Sequence, residues 1–320
     1  MKKKYNTLFS RLQEGKNAEN PFDILLDICY DSFPEKGKGA FRMTEQAADE
    51  SPETGGYPER ASLQTVNPGG AYRTLAASYD ALMLDADYFE RVTFLEGLFR
   101  EAPFPVGTVL DLGCGTGTVA WLLAERGYRM IGVDASEEML SVARGKAAKF
   151  PGDFPPPLLV CQSMERLDLG IWTADAAIST LDAMNYLTRE QNLRETFRRV
   201  FRALRPGGRL IFDVNTPYKF SCMDEQMYMD DAGDTFCVWR TFFSPKTRIC
   251  TYQVDLFRKR WDGAWDRSFE EHRERAWSEE QLRRFLLESG FARVTVTGDL
   301  SRRPPKEEET RWIILAEKAE

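Results

Sequence analysis

The sequence predicts an α/β fold: a doubly wound, mostly parallel seven-stranded sheet that carries a small antiparallel β insert. Three observations support this class. Short apolar runs alternate with amphipathic helical segments from about residue 71 to residue 215, which is the order of a parallel sheet with crossover helices. The runs are apolar on both faces, as in strands that helices cover on both sides. Between residues 216 and 276, strand-like runs follow one another without helices, which indicates an antiparallel sheet.

The elements of the main sheet follow in order along the chain. Two segments, AYRTLAASYDALML and DYFERVTFLEGLFREA, place apolar residues at helical spacing and predict helices. Strands are predicted over TVLDL, RMIGVD, PLLVCQ, ADAAIST and RLIFDVN. The helices between them are predicted to stop at Gly127, to start at the N-cap Ser136, and to end at a Pro-Gly-Gly turn. The segment SEEQLRRFLLESGF predicts a late helix, and ARVTVTG and RWIILAEK predict the last two strands.

The insert is predicted to contain three strands, over DTFCVWRTFF, TRICTYQVDLFRK and SFEEHRERAW. Residues 1–70 are predicted to form an N-terminal extension that is partly an exposed linker, because much of the segment is rich in charge, Gly and Pro. The chain is therefore divided into this extension, a sheet domain over 71–215 and 277–320, and the insert over 216–276.

Composition limits the class of protein. The chain has 320 residues, of which 42% are hydrophobic, and a net charge of -7, which is typical of a soluble globular protein and argues against a polyanionic partner. No apolar run approaches the roughly 20 residues of a membrane span, and MKKKYNTLFSRLQEG does not have the pattern of a signal peptide. The six cysteines include no CxxC pair, and a single histidine excludes a zinc site built on several histidines. A cytoplasmic protein with no metal site is therefore predicted; the oligomeric state is not.

The most specific stretch of the sequence is VLDLGCGTGTVA, which follows a buried strand and begins a helix. Its glycines, Gly113, Gly115 and Gly117, let the backbone turn tightly and approach a ligand closely. The spacing differs from the dinucleotide pattern G-x-G-x-x-G, because Thr118 stands where the third glycine of that pattern falls. Asp111, two residues before the first glycine, suits a ligand with an ammonium group and would repel a pyrophosphate.

This stretch closely resembles motif I of the class I S-adenosylmethionine-dependent methyltransferases. The resemblance implies that the glycine turn holds the amino-acid end of the cofactor. Asp134 ends the next strand in GVDAS, where an acidic residue can accept hydrogen bonds from both ribose hydroxyls. The resemblance also implies that Ser163 and Met164, in CQSMERLDL, hold the adenine. It further places the end of strand four, in STLDAMNYL, beside the sulfonium.

The resemblance extends over about 72–320 and includes small bacterial methyltransferases with a β insert before the sixth strand. It implies S-adenosylmethionine as the cofactor of the sheet domain and makes the insert a lid over the substrate. It also places the helix that carries Tyr79 over the cofactor. The predicted cofactor-binding residues are Tyr79, Asp111, Gly113, Cys114, Gly115, Gly117, Asp134, Ala135, Met139, Ser163, Met164, Thr180 and Leu181.

Four residues are candidates for the site of the methyl acceptor. His272 is the only histidine and titrates near neutral pH in its ordinary state, so it is the leading candidate for a proton acceptor. Asp182, at the end of strand four, is the alternative base. Arg275 is a candidate anchor for a carboxylate or phosphate of the substrate, and Tyr218 follows strand five and can face the same pocket. If the nucleophile is a thiol or an already deprotonated group, no base is needed.

Methyl transfer to a small molecule by in-line displacement is the leading functional prediction. An RNA or protein methyltransferase, and a non-catalytic module that binds S-adenosylmethionine and regulates a partner, remain as alternatives. The helix before strand five is rich in arginine, but its i, i+4 spacing is typical of a solvated face, so nucleic acid is not predicted as a partner. These arginines are Arg194, Arg198, Arg199, Arg202 and Arg205.

Overall fold

The computed structural model describes residues 72–83, 86–150, 152–170 and 173–320. The predicted N-terminal extension lies outside the described residues. The helices are α1 (Ala76–Leu82), α2 (Tyr88–Arg100), α3 (Thr118–Glu125), α4 (Glu137–Gly145), α5 (Glu190–Ala203), α6 (Pro217–Cys222) and α7 (Glu279–Glu288). The strands are β1 (Thr108–Leu112), β2 (Arg129–Asp134), β3 (Leu158–Cys161), β4 (Ala174–Ser179), β5 (Leu204–Asn215), β6 (Gln226–Asp231), β7 (Thr235–Ser244), β8 (Ile249–Lys259), β9 (Trp265–Arg275), β10 (Arg293–Gly298) and β11 (Arg311–Glu317).

Seven strands form the main sheet in the order β10-β11-β5-β4-β1-β2-β3. The five neighbouring strands β3, β2, β1, β4 and β5 are parallel. Strand β11 runs antiparallel between β5 and β10. The predicted doubly wound, mostly parallel sheet is confirmed. Its strand order reverses at β1, between β2 and β4, which is where ligands bind in open sheets of this kind.

Two apolar clusters, one on each face of the main sheet, form the core. Alternate residues of β1 enter different clusters: Leu110 and Leu112 pack with Phe197 and Phe285, whereas Val109 packs with Phe99. All of these side chains are almost fully buried. A strand that must fill two cores has apolar residues on both faces, which explains the pattern read from the sequence.

The helix ends follow the predicted signals with one difference. Gly127, at φ 96°, follows the end of α3, and the Ser136 hydroxyl accepts a hydrogen bond from the Met139 N–H at the start of α4. The predicted Pro-Gly-Gly turn, however, forms the first part of β5, which begins directly after α5. The pairing of β5 with β4 shifts register there, and Gly207 has a φ of 73°. The turn and the strand therefore overlap.

The insert forms a separate four-stranded antiparallel sheet in the order β6-β7-β8-β9, preceded by α6. Three of its strands were predicted, but β6 was not. Met227 and Met229 of β6 are exposed, so the strand contributes little apolar surface to the core and carries a weak sequence signal. The inner face of the insert packs against Leu75 and Phe220. It therefore covers the segment that leads into α1.

No helix within the described residues is long and apolar enough to cross a membrane.

A buried charge cluster fixes the carboxyl edge of the main sheet. Asp213 of β5 forms ion pairs with Arg91 of α2, at 3.0 Å, and with Arg311 of β11. The same carboxylate accepts the backbone N–H groups of Leu181 and Asp182, at 2.9 and 2.7 Å. Although burial acts to raise it, the two arginines lower the pKa of Asp213 below its ordinary value. The carboxylate thus ties α2, β11 and the loop after β4 together.

We expect Asp213→Asn to lower the free energy of unfolding by about 3–5 kcal/mol, because it removes the buried carboxylate that two largely buried guanidinium groups share and leaves each with only its second, more exposed partner, Asp299 for Arg91 and Asp182 for Arg311. Urea unfolding at neutral pH measures this change. The control is Asp266→Asn, which removes an exposed partner of Arg260 at 3.8 Å and should change stability by less than about 0.5 kcal/mol. Equal effects of the two substitutions would contradict the role given to Asp213.

Candidate active site

A cavity of about 550 Å³ lies at the carboxyl ends of β1, β2, β3 and β4. One of its sides consists of the glycine turn and the loops after these strands, and the other consists of aromatic residues before and within the first helices. The predicted cofactor residues that line it are Tyr79, Gly113, Cys114, Gly115, Asp134, Ala135, Met139, Ser163, Met164, Thr180 and Leu181. Asp111 and Gly117 stand in the same turn but do not contribute to this lining.

The glycine turn has a backbone conformation that favours glycine, and at Gly113 it leaves no room for a side chain. Gly113, Gly115 and Gly117 all have positive φ angles, of 67°, 55° and 72°. A Cβ at Gly113 would lie 2.7 Å from the Cβ of Ala183 and 2.9 Å from the methyl carbon of Met164. The backbone of the turn is therefore the surface that a ligand meets.

Asp134 joins the glycine turn to the end of β2. Its carboxylate accepts the N–H of Gly115 and the N–H of Ser136, each at 2.8 Å. Burial raises the pKa of Asp134 above its ordinary value, although these backbone hydrogen bonds oppose the shift. The carboxylate also lines the cavity, and each of its oxygens can accept a further hydrogen bond from a ligand hydroxyl.

Asp111 is a buried acid whose carboxylate receives no hydrogen bond from any described residue. Its side chain is only 1% exposed, and within the described residues neither carboxylate oxygen has a hydrogen-bond partner. Burial, and then the neighbouring Asp134, raises the pKa of Asp111 to about 7. An unpaired carboxylate immediately before the glycine turn is suited to a cationic ligand group.

Helix α1 covers the glycine turn and is tied to it by polar contacts. Asp80 of α1 forms an ion pair with Lys146 at 2.8 Å. The Lys146 ammonium also donates to the hydroxyls of Thr116 and Thr118, at 2.9 and 2.5 Å, and the Thr116 hydroxyl donates to Asp80 at 2.6 Å. This contact holds Tyr79 of α1 over the cavity that it lines.

The comparisons with known proteins agree with this geometry. A family model described as "Methyltransferase domain" matches residues 109–208. The Bacillus subtilis (strain 168) protein named "Putative methyltransferase YqeM" is 32% identical over 250 residues, which cover 78% of this chain and 97% of that protein. The chain belongs to the class I S-adenosylmethionine-dependent methyltransferases.

Solved structures share the fold of the methyltransferase. A S-adenosylmethionine-dependent methyltransferase from Clostridium acetobutylicum has a TM-score of 0.67 and 26% identity, over 78% of this chain and all of that one. The sugar N-methyltransferase KedS8 from a Streptoalloteichus species has a TM-score of 0.63 at 17% identity, over 87% of this chain and all of that one. The second likeness concerns the fold alone.

The described residues fit S-adenosylmethionine, the cofactor of this methyltransferase. The unpartnered carboxylate of Asp111, buried next to the cavity, and the three glycines of the turn fit an amino-acid group that carries an ammonium. Asp134 lines the cavity with a carboxylate that can accept hydroxyl hydrogen bonds, and Met164 and Ser163 offer it an apolar side chain and a hydroxyl, a set that fits a ribose and an adenine.

The predicted acceptor-site residues lie outside the lining of the cavity. Asp182 forms an ion pair with Arg311 at 2.7 Å. Arg275 donates to the carbonyl of Thr188 at 2.9 Å, and its guanidinium stacks on a tryptophan ring. Tyr218 lies on α6 and is 37% exposed. Asp182 and Arg275 therefore stand where they fix neighbouring elements of the site, and the exposed Tyr218 lies away from the cavity lining.

His272 is buried directly behind the cavity wall, with 1% of its surface exposed. Its Nδ1 lies 3.2 Å from the hydroxyl of Tyr186, and its Nε2 lies 3.0 Å from Oε2 of Glu270. Tyr186 and Tyr72 both line the cavity, and their hydroxyls are 2.6 Å apart. The imidazole is therefore connected to the cavity through two tyrosines.

Sequence reasoning did not select Tyr72, Tyr186 or Glu270 as functional residues. One signal was available for Tyr186, which follows β4 at the edge where the cavity lies. Another was available for Glu270, because residues two apart on a strand share a face, so it shares that of His272. Tyr72 carried no signal, since its contacts with Tyr186 and His272 span more than a hundred residues.

We expect Asp134→Ala to weaken binding of S-adenosylmethionine by about tenfold or more, because two ribose hydrogen bonds are each worth about 0.5–1.5 kcal/mol. Isothermal titration calorimetry measures the dissociation constant. Asp153→Asn, at an exposed position, serves as the control. An unchanged affinity in the Asp134 variant would contradict the ribose contact.

We expect Asp111→Asn to stabilise the cofactor-free protein above pH 7. A carboxyl whose pKa rises from 3.8 to about 7 on folding binds its proton more tightly in the folded state. The contribution of this carboxyl group to the stability of the wild type therefore falls as the pH rises from about 4 to 7, and it stays low above pH 7. The gain in folding stability of the Asp111→Asn variant over the wild type should reach at most about 4 kcal/mol and should vanish near pH 4.

Thermal unfolding of both proteins between pH 4 and pH 8 measures this difference. The same substitution should weaken binding of S-adenosylmethionine, because it removes the charge opposite the ammonium. A variant that is no more stable than wild type at pH 8 would show that the Asp111 carboxylate is compensated in the folded protein.

Proposed function

We propose that the chain transfers the methyl group of S-adenosylmethionine to a small-molecule nucleophile by in-line displacement. The observation that carries this proposal is the cavity of about 550 Å³ that extends from the glycine turn to a tyrosine-lined wall formed by Tyr72 and Tyr186. A volume between about 300 and 1,000 Å³ is typical of sites for small ligands. The cavity has room for a compact acceptor beside the cofactor, under α1 and the tyrosines that line it.

When bound, S-adenosylmethionine supplies a methyl group on an activated sulfonium. The protein has to place the acceptor atom about 3–3.5 Å from that carbon and in line with the bond that breaks. Thr180 and Leu181, at the end of β4, form the part of the wall between the cofactor residues and the tyrosines. Leu181 has a φ of 57° and is fixed by the hydrogen bond from its N–H to Asp213. The wall is therefore rigid where alignment matters.

The arginine-rich helix α5 favours a small molecule over RNA. Arg194 pairs with Glu190 at 2.8 Å and with Glu288, and Arg199 pairs with Glu195 at 2.7 Å. Paired cations release few counterions on phosphate binding, and the chain has a net charge of -7. Acidic partners thus interrupt the basic surface of the helix, which makes it a weaker site for an RNA substrate than an unpaired row of arginines.

We assign the removal of the acceptor's proton, where one must leave, to the half of the cavity beside His272. Asp182 and Arg275 act as supports in this proposal, and Tyr218 has no part in it. Asp182 is neutralised by Arg311, and Arg275 fixes the loop at Thr188.

The test is a panel of small amines, phenols, alcohols, thiols and carboxylic acids, each incubated with the protein and S-adenosylmethionine. S-adenosylhomocysteine formation is measured by mass spectrometry. We expect turnover with at least one compound class, at least tenfold weaker in Asp134→Ala at limiting cofactor. Total RNA and unstructured peptides form two further arms. Turnover with these alone would favour the macromolecular alternative, and no turnover in any arm would favour a binding module.

A further inference from the structure

The tyrosine-lined wall of the cavity contains a continuous chain of hydrogen-bonding groups. It runs from the Tyr72 hydroxyl to the Tyr186 hydroxyl at 2.6 Å, from there to Nδ1 of His272 at 3.2 Å, and from Nε2 of His272 to Glu270 at 3.0 Å. The first two groups line the cavity and the last two lie behind it. The chain therefore leads from the cavity to a buried carboxylate.

Glu270 fixes the far end of this chain. Its carboxylate accepts the N–H groups of Tyr72, Thr74 and Leu75, together with the Thr74 hydroxyl. Although burial acts to raise it, the hydrogen bonds from His272 and Thr74 lower the pKa of Glu270 to about 2. Glu270 is therefore ionised at neutral pH and accepts a hydrogen bond from the Nε2–H group, which leaves Nδ1 without a proton and able to accept a hydrogen bond from the Tyr186 hydroxyl.

The other titratable groups around His272 do not compete with Glu270 as the ionised partner of the imidazole. Glu274, on the same face of β9, is bonded to Asn215 at 3.1 Å, and burial, followed by the charge of Asp182, raises its pKa to about 8. Tyr252 stands opposite His272 on β8 and has a pKa raised well above 10 by burial. Glu270 is thus the ionised group that contacts the imidazole.

We infer that Tyr72, Tyr186 and His272 form a proton path that takes the proton of the methyl acceptor, whose nucleophile is therefore an amine nitrogen or a hydroxyl oxygen. This inference rests on the proposed function and adds the class of acceptor and two catalytic tyrosines to it. Tyr72 is the entry, because within the described residues its hydroxyl bonds to Tyr186 alone and retains acceptor capacity.

The proton balance of the path is complete. The bond between the acceptor atom and its hydrogen breaks, and the electron pair stays on the acceptor atom, which takes the methyl group. The proton moves to the Tyr72 oxygen as Tyr72 passes its own to Tyr186 and Tyr186 passes its own to Nδ1 of His272. Both tyrosines end neutral, and the imidazolium is stabilised by Glu270. The proton returns to water by the same path when the product leaves.

The high pKa values of the two tyrosines agree with hydroxyls that pass a proton on and are never ionised themselves. Burial raises the pKa of both hydroxyls well above 10, so neither ionises at neutral pH. A hydroxyl that receives one proton while it gives up another never carries the charge. The charge comes to rest on His272, beside an ionised carboxylate.

The first test needs no acceptor. His272 is the only histidine of the chain, so the untagged protein labelled with ¹⁵N-histidine gives one pair of ring nitrogen signals. Long-range ¹H–¹⁵N spectra should show the neutral ring protonated at Nε2, and Tyr186→Phe should shift the Nδ1 signal. A ring protonated at Nδ1 in the wild type would overturn the proposal, because it could not accept the Tyr186 proton.

The second test is kinetic and uses the acceptor that the panel identifies. Tyr72→Phe and Tyr186→Phe should each lower kcat about 10- to 100-fold and leave the KM for S-adenosylmethionine within twofold. The kcat of the wild type should rise with pH, with the midpoint at which the ¹⁵N signals titrate. Tyr252→Phe, which removes a buried hydroxyl outside the path, should leave kcat within twofold.

An unchanged kcat in either path variant would overturn the path, as would an equal loss in Tyr252→Phe. Failure of the whole panel would instead reject the proposed function, and the nitrogen spectra would still decide whether the path exists. A preferred acceptor whose nucleophile has no proton to lose, such as a thiolate or a carboxylate, would reject the acceptor class.

Discussion

The buried carboxylate of Glu270 is the contact on which the arrangement of the site depends. It lies on β9 of the insert, and it accepts backbone N–H groups of the segment before α1, 195 to 198 residues earlier in the chain. The same carboxylate contacts His272. Separating it from these donors would leave a buried charge without partners, which is strongly unfavourable. The insert and the segment that covers the cavity are therefore held together by electrostatics as well as by the apolar contacts of Leu75.

The cofactor side of the site combines several features that do not favour folding. Asp111 is buried without a partner, and two non-glycine residues after β4, Leu181 and Asp182, have positive φ angles of 57° and 60°. Such strain occurs where function requires a fixed geometry and the surroundings impose it. Here Asp213 imposes it, since the strained residues donate their N–H groups to its carboxylate. The ion pairs of Asp213 thus stabilise a loop that would otherwise relax.

The sequence was sufficient to predict the main sheet and the glycine turn, because local residue patterns specify both. Strands that fill two cores are apolar on both faces, and Gly113, Gly115 and Asp134 lie directly at strand ends, where the ligand site of such a sheet must be. The acceptor side could not be predicted in the same way. Apart from the contact of His272 with Glu270, its contacts join residues that are 86 to 198 positions apart, and no local pattern specifies those. Asp182 shows the same limit: its place after β4 suggested a free base, but the paired Arg311 lies 129 residues later.

Helix α1 has only seven residues, and the chain is anchored on both sides of its midpoint. Glu270 holds the backbone just before the helix, and Lys146 holds Asp80 within it. A cover fastened at two points cannot swing about one hinge, so both anchors must open before a large molecule can pass beneath it. In enzymes whose site lies under such a cover, its opening commonly sets the rate at which products leave.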